Sequence, residues 1–159
     1  MIVLKPDSSN NYPTIPVESS SRRVFLAGSI EMGVADDWQK KAEKLIYMRE
    51  GKGNTLVWNP RRDAWDSTWE QKMGDNEFTK QVNWELNGLA FATHIIMYLD
   101  PLTKSPISLL ELGIHADSGK LRVICPEGFY RKGNVDIVCH KYKIPQFDTL
   151  EAAIDNIFN

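Results

Sequence analysis

The sequence offers little sulfur chemistry: 159 residues contain two cysteines, Cys125 and Cys139, and no Cys-x-x-Cys pair. A disulfide framework needs more than that. Both are therefore read as buried thiols of a reducing, cytoplasmic compartment. The three histidines form no His-Glu-x-x-His motif and no cluster with cysteine, so no metal is expected. Long apolar runs are also absent. The longest, around Ile95–Leu99, falls far short of the ~20 residues that span a bilayer. Met1–Pro6 shows no basic segment leading into an apolar core, so no secretory leader is expected. Neither sign of charge dominates, since 19 Lys and Arg face 21 Asp and Glu for a net charge of −2. Without a basic stripe, neither nucleic acid nor an anionic membrane is an expected partner.

What is present is ordinary globular composition, with 42% hydrophobic and 25% charged residues, enough for one domain with its own core. Residues 1–22 are expected to form an N-terminal arm or loop, rich in Ser, Pro and Asn after Lys5, and 23–159 a single catalytic domain. Apolar runs at 24–27, 55–58, 94–99, 121–125 and 135–140 predict five strands. Helices are expected between them and at the end. Asp36 or Asp37 opens one, Asp75 or Asn76 a second, Ser105-Pro106 a third and Thr149 the last. The strands lack period-two alternation, so both faces of the sheet are expected to be covered. The pattern predicts an α/β fold, a flavodoxin- or Rossmann-like doubly wound sandwich around a five-stranded, mostly parallel sheet. Ligands of such folds sit at the carboxyl ends of strands. That directs attention to Gly28-Ser29, Asn59–Arg62, Asp100–Ser105 and Pro126–Asn134.

Two nucleotide-binding templates fail. Gly113–Lys120 imitates a phosphate-binding loop, but it has five intervening residues, lacks Ser or Thr after the lysine, and closes a helix. Gly28-Ser29 follows a strand, yet no further glycines complete a dinucleotide fingerprint. No bound cofactor is expected. His94 and His140 are read as structural residues at strand edges.

Two carboxylates stand out. The helix from Asp75 lines up Phe78, Val82, Leu86 and Leu89, with Glu85 at the edge of that stripe. In the helix from Ser105, apolar residues surround nearly the whole circumference, which predicts a buried helix. Glu111 lies between Ile107 and Ile114. A carboxylate there needs partners or a proton, and such a group suits nucleophilic or acid–base work. Structural alternatives stand beside this reading: Glu111 pairing with His115 one turn on, and Glu85 pairing with Arg61 or Arg62.

Five segments appear in order: Val24–Ile30, Asn59-Pro-Arg-Arg62, Asn83-Trp-Glu-Leu-Asn-Gly-Leu89, Ser108-Leu-Leu-Glu-Leu-Gly113 and Gly128–Val135. Together they resemble the nucleoside 2-deoxyribosyltransferase-like family. The resemblance implies a flavodoxin-like fold and cleavage of the N-glycosidic bond of nucleosides or nucleotides. It makes Glu111 the nucleophile that forms a glycosyl ester, resolved by another nucleobase or by water. It gives Glu85 the task of protonating or positioning the base, where the transferases usually have aspartate. The transferases carry an aspartate six residues before the nucleophile. Here that place holds Ser105, as in the related 2-deoxynucleoside 5-phosphate N-hydrolases, which use the serine on the phosphate. Ser105 also reads as a plain helix cap. Asn134 matches an asparagine inserted into a neighbouring subunit's site, which implies a homodimer or larger homo-oligomer.

The remaining candidates follow from residue chemistry. Gly28 and Ser29 would admit the ligand close to the backbone. Trp65 and Trp69 would stack on a nucleobase, or else pin their segment to the core. Arg61 and Arg62 would steer a phosphate, or form a solvated basic pair. A competing reading keeps the same pocket as a catalytically silent nucleotide-binding or sensing module.

Overall fold

In a computed structural model, residues 1–6, 22–31, 35–51, 53–62 and 68–159 are described. Five strands form one sheet: β1 (Ile2–Leu4), β2 (Arg22–Gly28), β3 (Thr55–Trp58), β4 (His94–Tyr98) and β5 (Leu121–Ile124). Their order is β1-β3-β2-β4-β5, and every neighbouring pair is parallel. The helices are α1 (Trp38–Arg49), α2 (Asn76–Phe91), α3 (Pro106–His115), α4 (Lys132–Tyr142) and α5 (Leu150–Phe158). None of the described helices is long and apolar enough to cross a membrane.

Alternate residues of each strand feed two cores, as a pleated strand requires. Val24 and Leu26 of β2 join Trp38, Ala42 and Ile46 of α1 and Leu150, Ala153 and Ile154 of α5. Phe25 and Ala27 join Trp84 and Leu89 of α2, Leu112 of α3, and Val135 and Cys139 of α4. The sheet is thus covered on both faces. Caps sit where the sequence placed them: Asp37, Asp75 and Thr149 accept from the backbone N–H of Lys40, Phe78 and Ala152.

Four expectations need correction. The fifth strand is not 135–140. That run lies in α4, because Val135 and Cys139 share one buried face at i, i+4, and Lys132 and Asp136 form an i, i+4 ion pair. A short apolar run is ambiguous by periodicity alone. His140 consequently sits on a helix, whereas His94 begins β4. The fifth strand is β1, at the start of the stretch expected to be an arm, paired with β3 through Ile2–Leu56 to Leu4–Trp58. Third, α3 is not enclosed. Ser108, Glu111 and Leu112 are buried, but Ile107, Leu110 and Ile114 are 60%, 60% and 55% exposed. The stripe on α2 is also rotated: Gln81, Trp84, Gly88 and Leu89 face inward, while Leu86 is exposed. Gly88 lets α2 settle against the sheet, since a Cβ there would lie 2.8 Å from the Phe25 ring.

Candidate active site

The chain leaves β2 for α1 and β3 on one side, and reaches β4, α3 and β5 on the other. The reversal of strand order therefore falls between β2 and β4. Their carboxyl ends frame the crevice where ligands of open α/β sheets bind. Gly28-Ser29 closes β2 there, and Asp100–Ser105 leads from β4 into α3.

Backbone packing dictates the first of these residues. Gly28 has φ +130°, and a Cβ on it would lie 2.2 Å from the Tyr98 carbonyl oxygen. The close approach that requires glycine is thus to β4 itself, and the next N–H, of Ser29, donates to that carbonyl at 2.9 Å. Ser29 is fully buried. Its Oγ accepts from the Asp100 N–H at 2.8 Å and lies 2.8 Å from Thr103 Oγ1 and 2.6 Å from Ser105 Oγ. Thr103 Oγ1 in turn lies 2.7 Å from Ser105 Oγ and donates to the Asp100 carbonyl at 2.9 Å. Three hydroxyls thus form a closed knot joining the ends of β2 and β4.

Ser105 precedes α3 but is not a conventional cap. It adopts a left-handed conformation, φ 45° and ψ 53°, and its side chain caps no helical N–H. That conformation costs a non-glycine residue about 1–2 kcal/mol, and the following Pro106 disfavours the right-handed alternative. The strain is held from two sides: by the hydroxyl knot, and by Glu31, whose Oε1 accepts the N–H groups of Lys104 at 2.9 Å and Ser105 at 2.7 Å.

One and a half turns along α3, Glu111 is 8% exposed and has no hydrogen bond or ion pair among the described residues. Burial, and secondarily the charge of Glu85, push its pKa up to about 8. The alternative pairing with His115 is not formed. The His115 pKa is lowered instead, by burial and by Lys120. Glu85 projects from α2 beside Glu111. Burial raises its pKa too, opposed by a hydrogen bond from Gln81 and by the charge of Arg62.

Those opposing partners form a chain. Arg62 Nε donates to Gln81 Oε1 at 2.7 Å, and Gln81 Nε2 donates to Glu85 Oε1 at 2.6 Å. Arg62 reaches Glu85 through this buried amide and makes no direct ion pair with it. Its guanidinium lies 4.7 Å from the centre of the Trp69 ring. Trp65 lies outside the described residues. Arg61 turns elsewhere, 3.3 Å from Gln39 Oε1 and 3.9 Å from Asp37. Gln39 and Trp38 both donate to the Ser29 carbonyl, at 3.4 and 2.8 Å. Asn59 fixes the turn after β3, accepting from Arg61 N–H at 2.9 Å and donating to Glu43 at 2.6 Å.

The structure thus links Glu85, Arg62 and Trp69 through Gln81, with Glu111 within reach of the Glu85 charge, and separately ties Ser29 to Ser105 through the hydroxyl knot. Asn134 lies apart. It lines a groove of about 320 Å³ between α3 and α4, with Leu109, Leu112, Gly113, Tyr130, Arg131, Val135 and Val138. The sequence reading missed Gln81, Thr103 and Glu31. Gln81 carried a signal, four residues before Glu85 on one helix. Thr103, a hydroxyl two residues before Ser105, carried a weaker one. Glu31 carried none, because its partners are 73 and 74 residues away.

A doubly wound α/β protein with one buried and one half-buried glutamate on the successive helices α2 and α3 is the class that fold and site define. Residues 21–129 match the model of the nucleoside 2-deoxyribosyltransferase-like family, and the chain belongs to that family. The matched region contains Glu85 and Glu111 and stops short of Asn134. The crystal structure of a conserved protein from Enterococcus faecalis V583 superposes with a TM-score of 0.58 at 10% identity, covering 87% of this chain and 98% of that one. At that identity the likeness speaks for the fold. No curated protein sequence matches the chain.

Proposed function

We propose that the protein cleaves the N-glycosidic bond of a nucleoside or nucleoside 5-monophosphate through a covalent glycosyl ester on Glu111. The observation that carries this reading is the pair itself: a buried Glu111 and a half-buried Glu85 on successive helices, near enough that the charge of Glu85 adds to burial in raising the Glu111 pKa to about 8. Two such groups do not both ionise readily, so at neutral pH the pair holds about one proton. One proton and one carboxylate are what the reaction needs.

In the first half, a Glu111 oxygen bonds to the anomeric carbon as the carbon–nitrogen bond breaks. The bonding pair leaves with the base, and Glu85 delivers the proton that the base takes up. The empty site holds its proton mainly on Glu111, so that proton passes to Glu85 before attack. Positive charge developing on the sugar favours this arrangement, because it stabilises an ionised Glu111. In the second half, a nitrogen of another base, or water, bonds to the anomeric carbon. The ester bond breaks, the carboxylate re-forms on Glu111, and the proton shed by the incoming group returns to Glu85. Gln81, held by Arg62, fixes the Glu85 carboxyl. Trp69 offers an aromatic face to the base. No metal or cofactor enters these steps.

The exposed apolar residues Ile107, Leu110 and Ile114 of α3, with Ile137 of α4, support a homodimer or larger homo-oligomer through this face. Asn134 lines the groove between these two helices, and in this reading it serves a neighbouring subunit's site.

The test is base release, followed by chromatography over a panel of ribo- and 2-deoxyribonucleosides and their 5-monophosphates, with and without a second free base. Wild type is expected to release base, and Glu111→Gln to be slower by at least about 1,000-fold. A new nucleoside formed only with the second base means transfer; release without it means hydrolysis. Saturable binding with no release from any substrate would replace this proposal with a binding module.

A further inference from the structure

An arginine side chain donates hydrogen bonds and cannot accept them. That limit fixes the direction of the chain between Arg62 and Glu85. Arg62 Nε donates at 2.7 Å, so the Gln81 atom facing it is the amide oxygen. The amide nitrogen, Nε2, then faces Glu85 Oε1 at 2.6 Å, and it too can only donate. Gln81 is buried, which keeps bulk water from competing for either contact. The Arg62 guanidinium is held in turn over the Trp69 ring, 4.7 Å from its centre. Its Nη2 is buried and finds no partner among the described residues, so the side chain forgoes a hydrogen bond to stand where it does.

A protonated carboxyl group has two unlike oxygens, one carrying the proton and one accepting. A proton on Glu85 Oε1 would point into the N–H of Gln81. Its place is therefore Oε2, to which no hydrogen bond is made among the described residues. The charged groups that bear on this pair of oxygens are Arg62, from the turn after β3, and Glu111, from α3. Arg62 sets the direction of the amide, and Glu111 makes no hydrogen bond to it.

We infer that Arg62 and Gln81 are positioning residues for proton delivery: Arg62 locks the direction of the Gln81 amide, and the amide confines the proton of Glu85 to Oε2, from which it passes to the departing base. This rests on the glycosidic reading above and deepens it. The proton leaves Oε2 for a heteroatom of the base as the carbon–nitrogen bonding pair departs with that base. Glu85 is left ionised, its Oε1 still bonded to Gln81.

Two variants reverse or release the direction of the amide. In Gln81→Glu, a carboxylate bonded to Arg62 presents only acceptors to Glu85, and the Glu85 proton is captured on Oε1. In Arg62→Met nothing holds the amide, which is free to turn its oxygen toward Glu85 with the same result. The lost positive charge also makes Glu85 keep its proton to higher pH. The experiment follows kcat against pH for a 2-deoxynucleoside that wild type cleaves, free or as its 5-monophosphate. Beside it runs a counterpart whose base departs without a proton: a purine methylated on its imidazole ring, or a uracil bearing a nitro group. On the ordinary substrate both variants are expected to be slower by at least about 100-fold, the low end of general acid catalysis, even where Glu85 is protonated. On the activated counterpart the deficit should be at least about 10-fold smaller, because no proton is needed there. If Gln81→Glu does not fold, Arg62→Met, which keeps the length of the side chain, decides. A charge effect alone would extend activity to higher pH in Arg62→Met with its maximum intact, and that result overturns the inference. An equal deficit on both substrates, the mark of a disturbed fold, also overturns it, as does no deficit at all. Each of these leaves glycosidic cleavage standing. Wild type that releases base from no substrate overturns the glycosidic reading, and this inference with it.

Discussion

Replacing Glu111 with glutamine removes a titratable proton from the interior at almost constant volume, which makes its energetic cost measurable apart from catalysis. The folded pKa is about 8 and the ordinary value is 4.5. The folded protein therefore holds this proton more tightly than the unfolded chain. The stability it contributes is fully present below about pH 4.5 and is lost as pH rises toward 8. At about 1.4 kcal/mol per unit, wild type should lose roughly 3–4 kcal/mol relative to Glu111→Gln between pH 5 and pH 8. For a chain of this size that is roughly 10 °C in Tm. The assay is urea unfolding of both proteins at half-unit pH steps, read as the difference between them, so that carboxylates far from the site cancel. The variant should be increasingly the more stable protein as pH rises, while losing base release. Parallel stability profiles would refute the argument, because they would mean that Glu111 is solvated or paired and carries no raised pKa.

Glu85→Gln removes the neighbouring charge that helps to raise the Glu111 pKa, so the inflection in the Glu111 pH–stability profile should move to lower pH, and proton delivery to the base should slow. Gln81→Leu deletes the donor to Glu85; the Glu85 pKa should rise further, and the acid limb of the pH–rate profile should shift upward with it. Gly88→Ala places a Cβ 2.8 Å from Phe25 and 3.0 Å from Trp58, and should cost about 1–3 kcal/mol in denaturant unfolding. Ile137→Glu puts a charge on a side chain that is 71% exposed in one chain; sedimentation should show a smaller species, and the proposed role of Asn134 in a neighbouring subunit's site then requires base release to fall.

Sequence patterns were legible wherever the determinant is local. Asp37, Asp75 and Thr149 cap helices through N–H groups three residues away, and such signals survive any tertiary context. The unalternating strands announced a sheet buried on both faces. Legibility failed where two local structures share one pattern. The run 135–140 satisfies a buried strand and a helix face alike, and packing of Val135 and Cys139 against the sheet decides for the helix. It failed again where burial depends on what covers an element. α3 is apolar all round, but the single chain covers one side, leaving Ile107, Leu110 and Ile114 outside.

Sequence by itself determined the parallel α/β architecture, the places of the crevice loops, and the two glutamates whose apolar neighbours mark them as chemically unusual. Hydrophobic spacing and capping are properties of neighbours along the chain, so they can be read along the chain. Only tertiary structure decided what those glutamates experience and what surrounds them. The raised pKa of Glu111 needs the packing that buries it, to which α2 adds the charge of Glu85. Arg62 reaches Glu85 through Gln81, 19 residues away. Glu31 meets the start of α3 across more than 70 residues. A charge's energy is set by distance and burial in space, and neither is written in the order of residues.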